Sequence, residues 1–145
     1  MSLNCIILDD YQNVALSLAD WASLQPTVHT TALTRHFDHE DELIRHIEHA
    51  DILVIMRERT PLTAELIGRL PNLKLVITSG MRNASIDLHA CAERYIAVCG
   101  TASSSAAPME LSWGLLIGLA RHIGVENQAL RNNGPWQQTL GLGLQ

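Results

Sequence analysis

The 145-residue chain is 47% apolar and 17% charged. This is the composition of an ordinary globular domain with enough chain for one proper core. Its formal net charge of −5 argues against nucleic acid or an anionic membrane surface as the main partner. Three cysteines, Cys5, Cys91 and Cys99, are odd in number and lack C-x-x-C spacing, which argues against a disulfide framework or a thiolate zinc site. The N-terminus has no basic stretch followed by a long apolar run, so no signal peptide is expected and cytoplasmic residence is the default.

In chain order, residues 3–8 form an apolar run closed by Asp9 and Asp10, suited to a fully buried first strand. Apolar residues at 14, 15, 18, 21 and 22 follow a helical period over 14–24. A second strand is expected over 27–31, rich in β-branched residues. Asp38 is the expected N-cap of a helix to about residue 49 that buries Leu43, Ile44 and Ile47. Residues 51–56 read as a third buried strand. Thr60-Pro61 and Thr63 both read as helix starts, with Pro71 as the stop. A fourth strand over 73–77 leads into the polar turn 78–83, a short helix over about 87–94, and a fifth strand over 96–99 ending at Gly100. Cys5 and Cys99 fall inside apolar strands, where a thiol acts as a small hydrophobe.

Strands alternating with helices at this spacing predict an α/β, flavodoxin-like, doubly wound parallel five-stranded sheet of order 2-1-3-4-5. Ligands of such sheets sit beyond the carboxyl ends of the strands. The turn Ser79-Gly80-Met81 lies at such an end and reads as an anion-binding loop, because glycine lets backbone N–H groups approach a ligand. From 108 to about 131 the pattern predicts one long C-terminal helix. Its apolar stretch 111–120 is too short to cross a membrane. Gly114, Gly118 and Gly124 inside it suggest close packing on another element. The apolar residues at the end of the chain have nothing left to pack against, so the chain reads as part of a longer protein.

Ordered blocks from residue 52 onward carry a resemblance. They are Arg57-Glu58-Arg59-Thr60-Pro61-Leu62-Thr63, Leu70-Pro71-Asn72-Leu73-Lys74, and Ser79-Gly80-Met81-Arg82-Asn83-Ala84-Ser85-Ile86-Asp87. Val98-Cys99-Gly100-Thr101, Met109-Glu110-Leu111-Ser112-Trp113 and Gly134-Pro135-Trp136-Gln137 follow. Together they resemble the D-isomer-specific 2-hydroxyacid dehydrogenases, most of all the phosphoglycerate-dehydrogenase-like branch. The resemblance implies a flavodoxin-like substrate-binding domain over 1–105. Residues 106–145 would then be a linker helix and tail leading to a Rossmann NAD-binding domain beyond this chain. It implies an oxidoreductase that moves hydride between C2 of a D-2-hydroxy acid and NAD or NADP, with a small 2-hydroxy or 2-keto acid as partner and a homodimer through the 108–131 helix.

By the same resemblance, Ser79, Gly80 and Met81 match the loop whose backbone amides hold the substrate carboxylate. Arg57 matches a position after strand three that reaches the substrate, Arg82 could add a salt bridge to an acidic substrate group, and Met109 is a cofactor contact. The family's catalytic arginine, glutamate and histidine lie downstream. No catalytic residue is therefore expected here, the fragment should be inert, and it should bind no cofactor by itself. Gly141-Leu142-Gly143 lacks the third glycine, strand and helix of a dinucleotide fingerprint. Tyr95 and Asn133 stand where the family usually has glycine.

Other readings are blander. His36, His39, His46 and His49 read as an exposed helix face with no metal site. Glu110 suits the start of the long helix, where negative charge is favoured. Trp113 and Trp136 read as packing anchors. The rival from another class is a receiver-type signalling domain of the same fold, with Asp9-Asp10 as its acidic pair. It lacks the aspartate expected after strand three and the lysine expected after strand five. A stand-alone anion-binding module is the second rival, and the exposed apolar tail argues against it.

Overall fold

A computed structural model describes residues 2–144. The chain forms two compact units, Met1–Ser103 and Ser104–Gln145. The first holds a single parallel sheet of order β2-β1-β3-β4-β5. Its strands are β1 (Leu3–Ile7), β2 (Val28–Ala32), β3 (Ile52–Ile55), β4 (Leu75–Thr78) and β5 (Ala97–Gly100). This is the flavodoxin-like order expected, and the chain reverses direction across the sheet between β1 and β3, its topological switch point. The register aligns Cys5 with Thr30 and Ile52, and Ile55 with Thr78.

Helices α1 (Glu40–Ile47), α2 (Ala64–Gly68) and α3 (Leu88–Glu93) connect the strands. Leu43, Ile44 and Ile47 of α1, Leu66 and Ile67 of α2, and Cys91 of α3 share one core cluster with Ile6, Leu53, Ile55 and Val76. Two caps stand where the sequence places the start of a helix. Thr63 accepts from the Leu66 amide, and Asp87 accepts from the Ala90 amide. At the other end of the sheet Asp51 accepts from the Asn4 amide and lies 2.6 Å from Lys74 Nζ. The Lys74 ammonium, and then that amide, hold the Asp51 carboxyl below its ordinary value.

Six local expectations change. The 14–24 segment is two short 3-10 turns, Ala15–Ser17 and Trp21–Leu24. Asp20 caps the second turn through the Ser23 amide, and the Ser17 hydroxyl donates to the Val14 carbonyl. Such side chains compete with a continuous backbone ladder. The N-cap of α1 is His39 and carries no side-chain bond. Glu40, Asp41 and Glu42 instead place negative charge in the first turn. Thr60 begins no helix; its hydroxyl is buried against Asp9. Cys99 is exposed, because β5 is the edge strand of the sheet.

The long helix is also divided, into α4 (Ala106–Ala120) and α5 (Ile123–Arg131). The His122 amide donates to Leu119 O, tightening the last turn, and His122 itself is left-handed at φ 54°. The Leu142 amide then occupies Ala120 O at 2.7 Å. Nothing lies within 4 Å of a Cβ built on Gly114, Gly118 or Gly124, so among the described residues they pack against no element. α4 has no buried residue, and Leu111, Trp113, Leu115 and Leu119 are all exposed. Among the described residues, no helix is long and apolar enough to cross a membrane.

Candidate functional site

The loops after β1, β3 and β4 meet at the carboxyl rim of the sheet, and two of them leave their strands through left-handed residues. Arg57, two residues past β3, has φ 50°, and Asp9, two residues past β1, has φ 58°. Gly80, after β4, has φ 95°. Left-handed conformations are costly for residues other than glycine and persist only where the surroundings hold them.

Here they are held. The Arg57 amide donates to Ser79 Oγ at 3.1 Å, and Arg57 O accepts from Asn83 Nδ2 at 2.6 Å. Asn83 also donates to Thr78 Oγ1 and takes the Ser85 amide and hydroxyl on its Oδ1. One amide side chain thus binds the β3 loop to the β4 loop and shapes the turn that follows. Leu62 bridges to Ile86 in parallel fashion and ties the two loops again further out.

The arginine and the glycine face each other. A Cβ built on Gly80 would sit 3.3 Å from Arg57 Nη1, so the bare glycine leaves room for the guanidinium above the turn. Gly100 makes the opposite approach possible. A Cβ there would lie 2.7 Å from Gly80 O and 2.8 Å from Met81 Cα, so only glycine lets the end of β5 come this close.

Hydrogen bonding decides which amides of the turn are free. The Ser79 amide extends the sheet by donating to Ile55 O, and the Gly80 amide donates to Thr101 Oγ1 at 3.0 Å. The Met81 and Arg82 amides have no protein acceptor among the described residues. The side chains of Met81 and Arg82 are exposed, and both line a cavity of about 440 Å³ together with Thr78, Asn83, Val98 and Gly100. Arg57 and Ser79 border the same turn without lining that cavity. The turn therefore offers two open N–H groups beside a guanidinium with no carboxylate partner among the described residues, a set of donors suited to a carboxylate.

A second polar cluster stands at the switch point. Asp9 is 2% exposed, and its carboxylate accepts from Thr60 Oγ1 at 2.7 Å and Tyr11 OH at 3.0 Å, with His36 Nδ1 at 3.2 Å. Arg59 donates to Asp9 O at 2.8 Å and stacks over the Tyr11 ring, 4.6 Å from its centroid. Burial, and then the bond to Asp9, push the Tyr11 hydroxyl upward. Asp10 caps the first 3-10 turn by accepting from the Val14 and Ala15 amides. Both aspartates are thus engaged by neighbouring donors. Among the described residues, no group of three or more His, Cys, Asp and Glu could hold a metal ion.

Residues 5–113 match the D-isomer specific 2-hydroxyacid dehydrogenase, catalytic domain. The chain belongs to that family. A hydroxypyruvate reductase of Thermotoga maritima is 35% identical over 86 residues, covering 59% of this chain and 28% of that protein. A solved phosphoglycerate oxidoreductase of Vibrio cholerae is 37% identical with a TM-score of 0.84, covering 98% of this chain and 44% of the other. The pyruvate reductase of Chlamydomonas reinhardtii, at 23% identity and a TM-score of 0.76, shares the fold. The chain thus spans less than half the length of these relatives, and it is the catalytic or substrate-binding portion of a dehydrogenase family. Nothing in the comparisons supports a receiver-type domain.

The Gly141-Leu142-Gly143 stretch of the second unit is irregular backbone. Residues 135–144 form no strand or helix, and Gly141 is packed so that its Cβ would meet Arg121 Cα at 2.9 Å. Its bare backbone serves close packing on the end of α4. Met109 lies on the first turns of α4, exposed, beside Ser112, Trp113 and Leu116. Trp136 is also exposed. Sequence reasoning named Arg57, Ser79, Gly80, Met81 and Arg82 but missed Asn83, Gly100 and Thr101, which fix their geometry. The glycine ending β5 was the available signal.

Proposed function

We propose that this chain supplies the carboxylate-binding rim of an NAD(P)-dependent dehydrogenase acting on a D-2-hydroxy acid or its 2-keto form. The single observation that carries the reading is the Arg57 guanidinium over Gly80, beside the free Met81 and Arg82 amides. The carboxylate is pinned by these donors, so that C2 is presented in one orientation to a hydride donor. The Ser79 hydroxyl holds the Arg57 amide, Gly80 clears the space for the guanidinium, and Arg82 adds a cation for an acidic group at the far end of the substrate. The first unit is the substrate domain. The second is a linker toward a cofactor domain, with Met109 as its contact to the cofactor. The chain alone is inert and cytoplasmic.

A homodimer through α4 and α5 belongs to the same reading. A helix apolar all round needs cover, and α4 has no buried residue. The test of the proposal is turnover: the product of the complete reading frame should oxidise NADH or NADPH with at least one acid from a panel of 2-keto acids. The isolated 145-residue chain should not. Turnover by the isolated chain, or none by the complete product, would overturn it.

A further inference from the structure

A buried carboxylate bonded by three side chains lies outside the proposed contacts. Asp9 follows the strand on one side of the switch point, whereas Thr60 and Arg59 belong to the loop from the strand on the other side. That loop begins at Arg57, whose left-handed backbone is secured in front by Ser79 Oγ and Asn83 Nδ2. Behind, it is secured by Thr60 Oγ1 on the Asp9 carboxylate and Arg59 Nη1 on the Asp9 carbonyl.

We infer that Asp9 is a positioning residue for Arg57: through Thr60 and Arg59 it anchors the loop whose guanidinium meets the substrate carboxylate. The inference rests on the function proposed above for Arg57. A loop held at one end only lets a long arginine side chain and its strained backbone sample other conformations, and each binding event must then order them again. Bonds buried with Asp9 do this well, because water cannot replace them without opening the rim. Tyr11 OH and His36 Nδ1 complete the shell of Asp9 from the other side without touching residues 57–60 through those atoms.

Four variants of the 145-residue chain separate positioning from mere stability. Thr60→Val keeps the shape and removes the donor, whereas Thr60→Ser restores it. Tyr11→Phe removes a different bond to Asp9 and keeps the ring under Arg59, and Arg57→Met removes the guanidinium. Two readouts apply: amide hydrogen exchange at Arg57 and Arg59, measured against the amides of β3 and β4, and glycolate affinity from NMR titration.

Thr60→Val should speed exchange at Arg57 and Arg59 selectively. It should also weaken glycolate binding roughly three- to ten-fold, the ordering cost of one long side chain. Thr60→Ser and Tyr11→Phe should stay near wild type in both readouts. Unchanged local exchange in Thr60→Val, or equal effects of Thr60→Val and Tyr11→Phe, would overturn the inference. If wild type and Arg57→Met bind glycolate alike, the substrate reading of Arg57 fails, while the exchange readout still decides whether Asp9 anchors the loop.

Discussion

Replacing Gly100 by alanine tests the geometry of the rim through one methyl group. Its Cβ would meet Gly80 O at 2.7 Å and Met81 Cα at 2.8 Å, where ordinary contact begins at 3.4 Å. Both atoms are backbone, so no flexible side chain can swing aside, and either β5 or the 80–81 turn must move by several tenths of an ångström. The β4–β5 pairing resists the first, because Thr78 is registered to Gly100 and the Thr101 amide donates to Thr78 O. The turn is held by its own bonds to Ile55 and Thr101. Overpacking of this kind costs about 1–3 kcal/mol, which for a unit of this size lowers Tm by roughly 5–20 °C. Thermal melting followed by far-UV circular dichroism measures the loss. A glycolate titration should show weaker binding in the same variant, because the Met81 amide is displaced. A melt indistinguishable from wild type would refute the close approach and with it the account of the turn.

Other variants probe separate parts of the account. Gly80→Ala places a Cβ at φ 95° and 3.3 Å from Arg57 Nη1; it should cost about 1 kcal/mol or more of stability and weaken glycolate binding. Tyr95 is left-handed at φ 57° just past α3 and 95% exposed, so Tyr95→Gly should stabilise by about 0.5–1 kcal/mol in urea unfolding. Lys74→Met removes the ammonium that lowers the Asp51 carboxyl. A depressed carboxyl contributes stability above its ordinary value of 3.8 and loses it as pH falls through the folded value. The variant should therefore be less stable than wild type at pH 7, and the gap should close below about pH 3.8. Leu115→Asp on the exposed face of α4 should shift sedimentation toward monomer if this helix is the dimer surface.

Periodicity and composition made the sheet legible. Apolar runs bounded by turn residues located all five strands within a residue or two, and their alternation with helices gave the order. Two helix starts were also readable near Thr63 and Asp87, whose side chains cap within three residues of themselves. The two positions where glycine would be usual, Tyr95 and Asn133, are both left-handed, at φ 57° and 55°. Long-range polar contacts were not legible. Asp9 and Thr60 are 51 residues apart in the chain and looked like a metal-type acidic residue and a helix start. The 14–24 segment carried a helical period, yet local side-chain bonds from Ser17, Asp20 and Trp21 broke it into turns. Which amides of the 79–82 turn are free depends on Thr101, a residue on another strand end, and no local pattern encodes it. The break at His122 was hidden because the apolar pattern continues through it.

The most direct test of the central claim is a titration of the ¹⁵N-labelled chain with glycolate, the simplest 2-hydroxy acid, followed residue by residue. The account predicts the largest shifts at the Met81 and Arg82 amides and at Arg57 Nε. Gly80 should respond only through its bond to Thr101, and all of these shifts should be lost in Arg57→Met. Shifts centred elsewhere, or unchanged by Arg57→Met, would contradict the assignment of this rim as the carboxylate site.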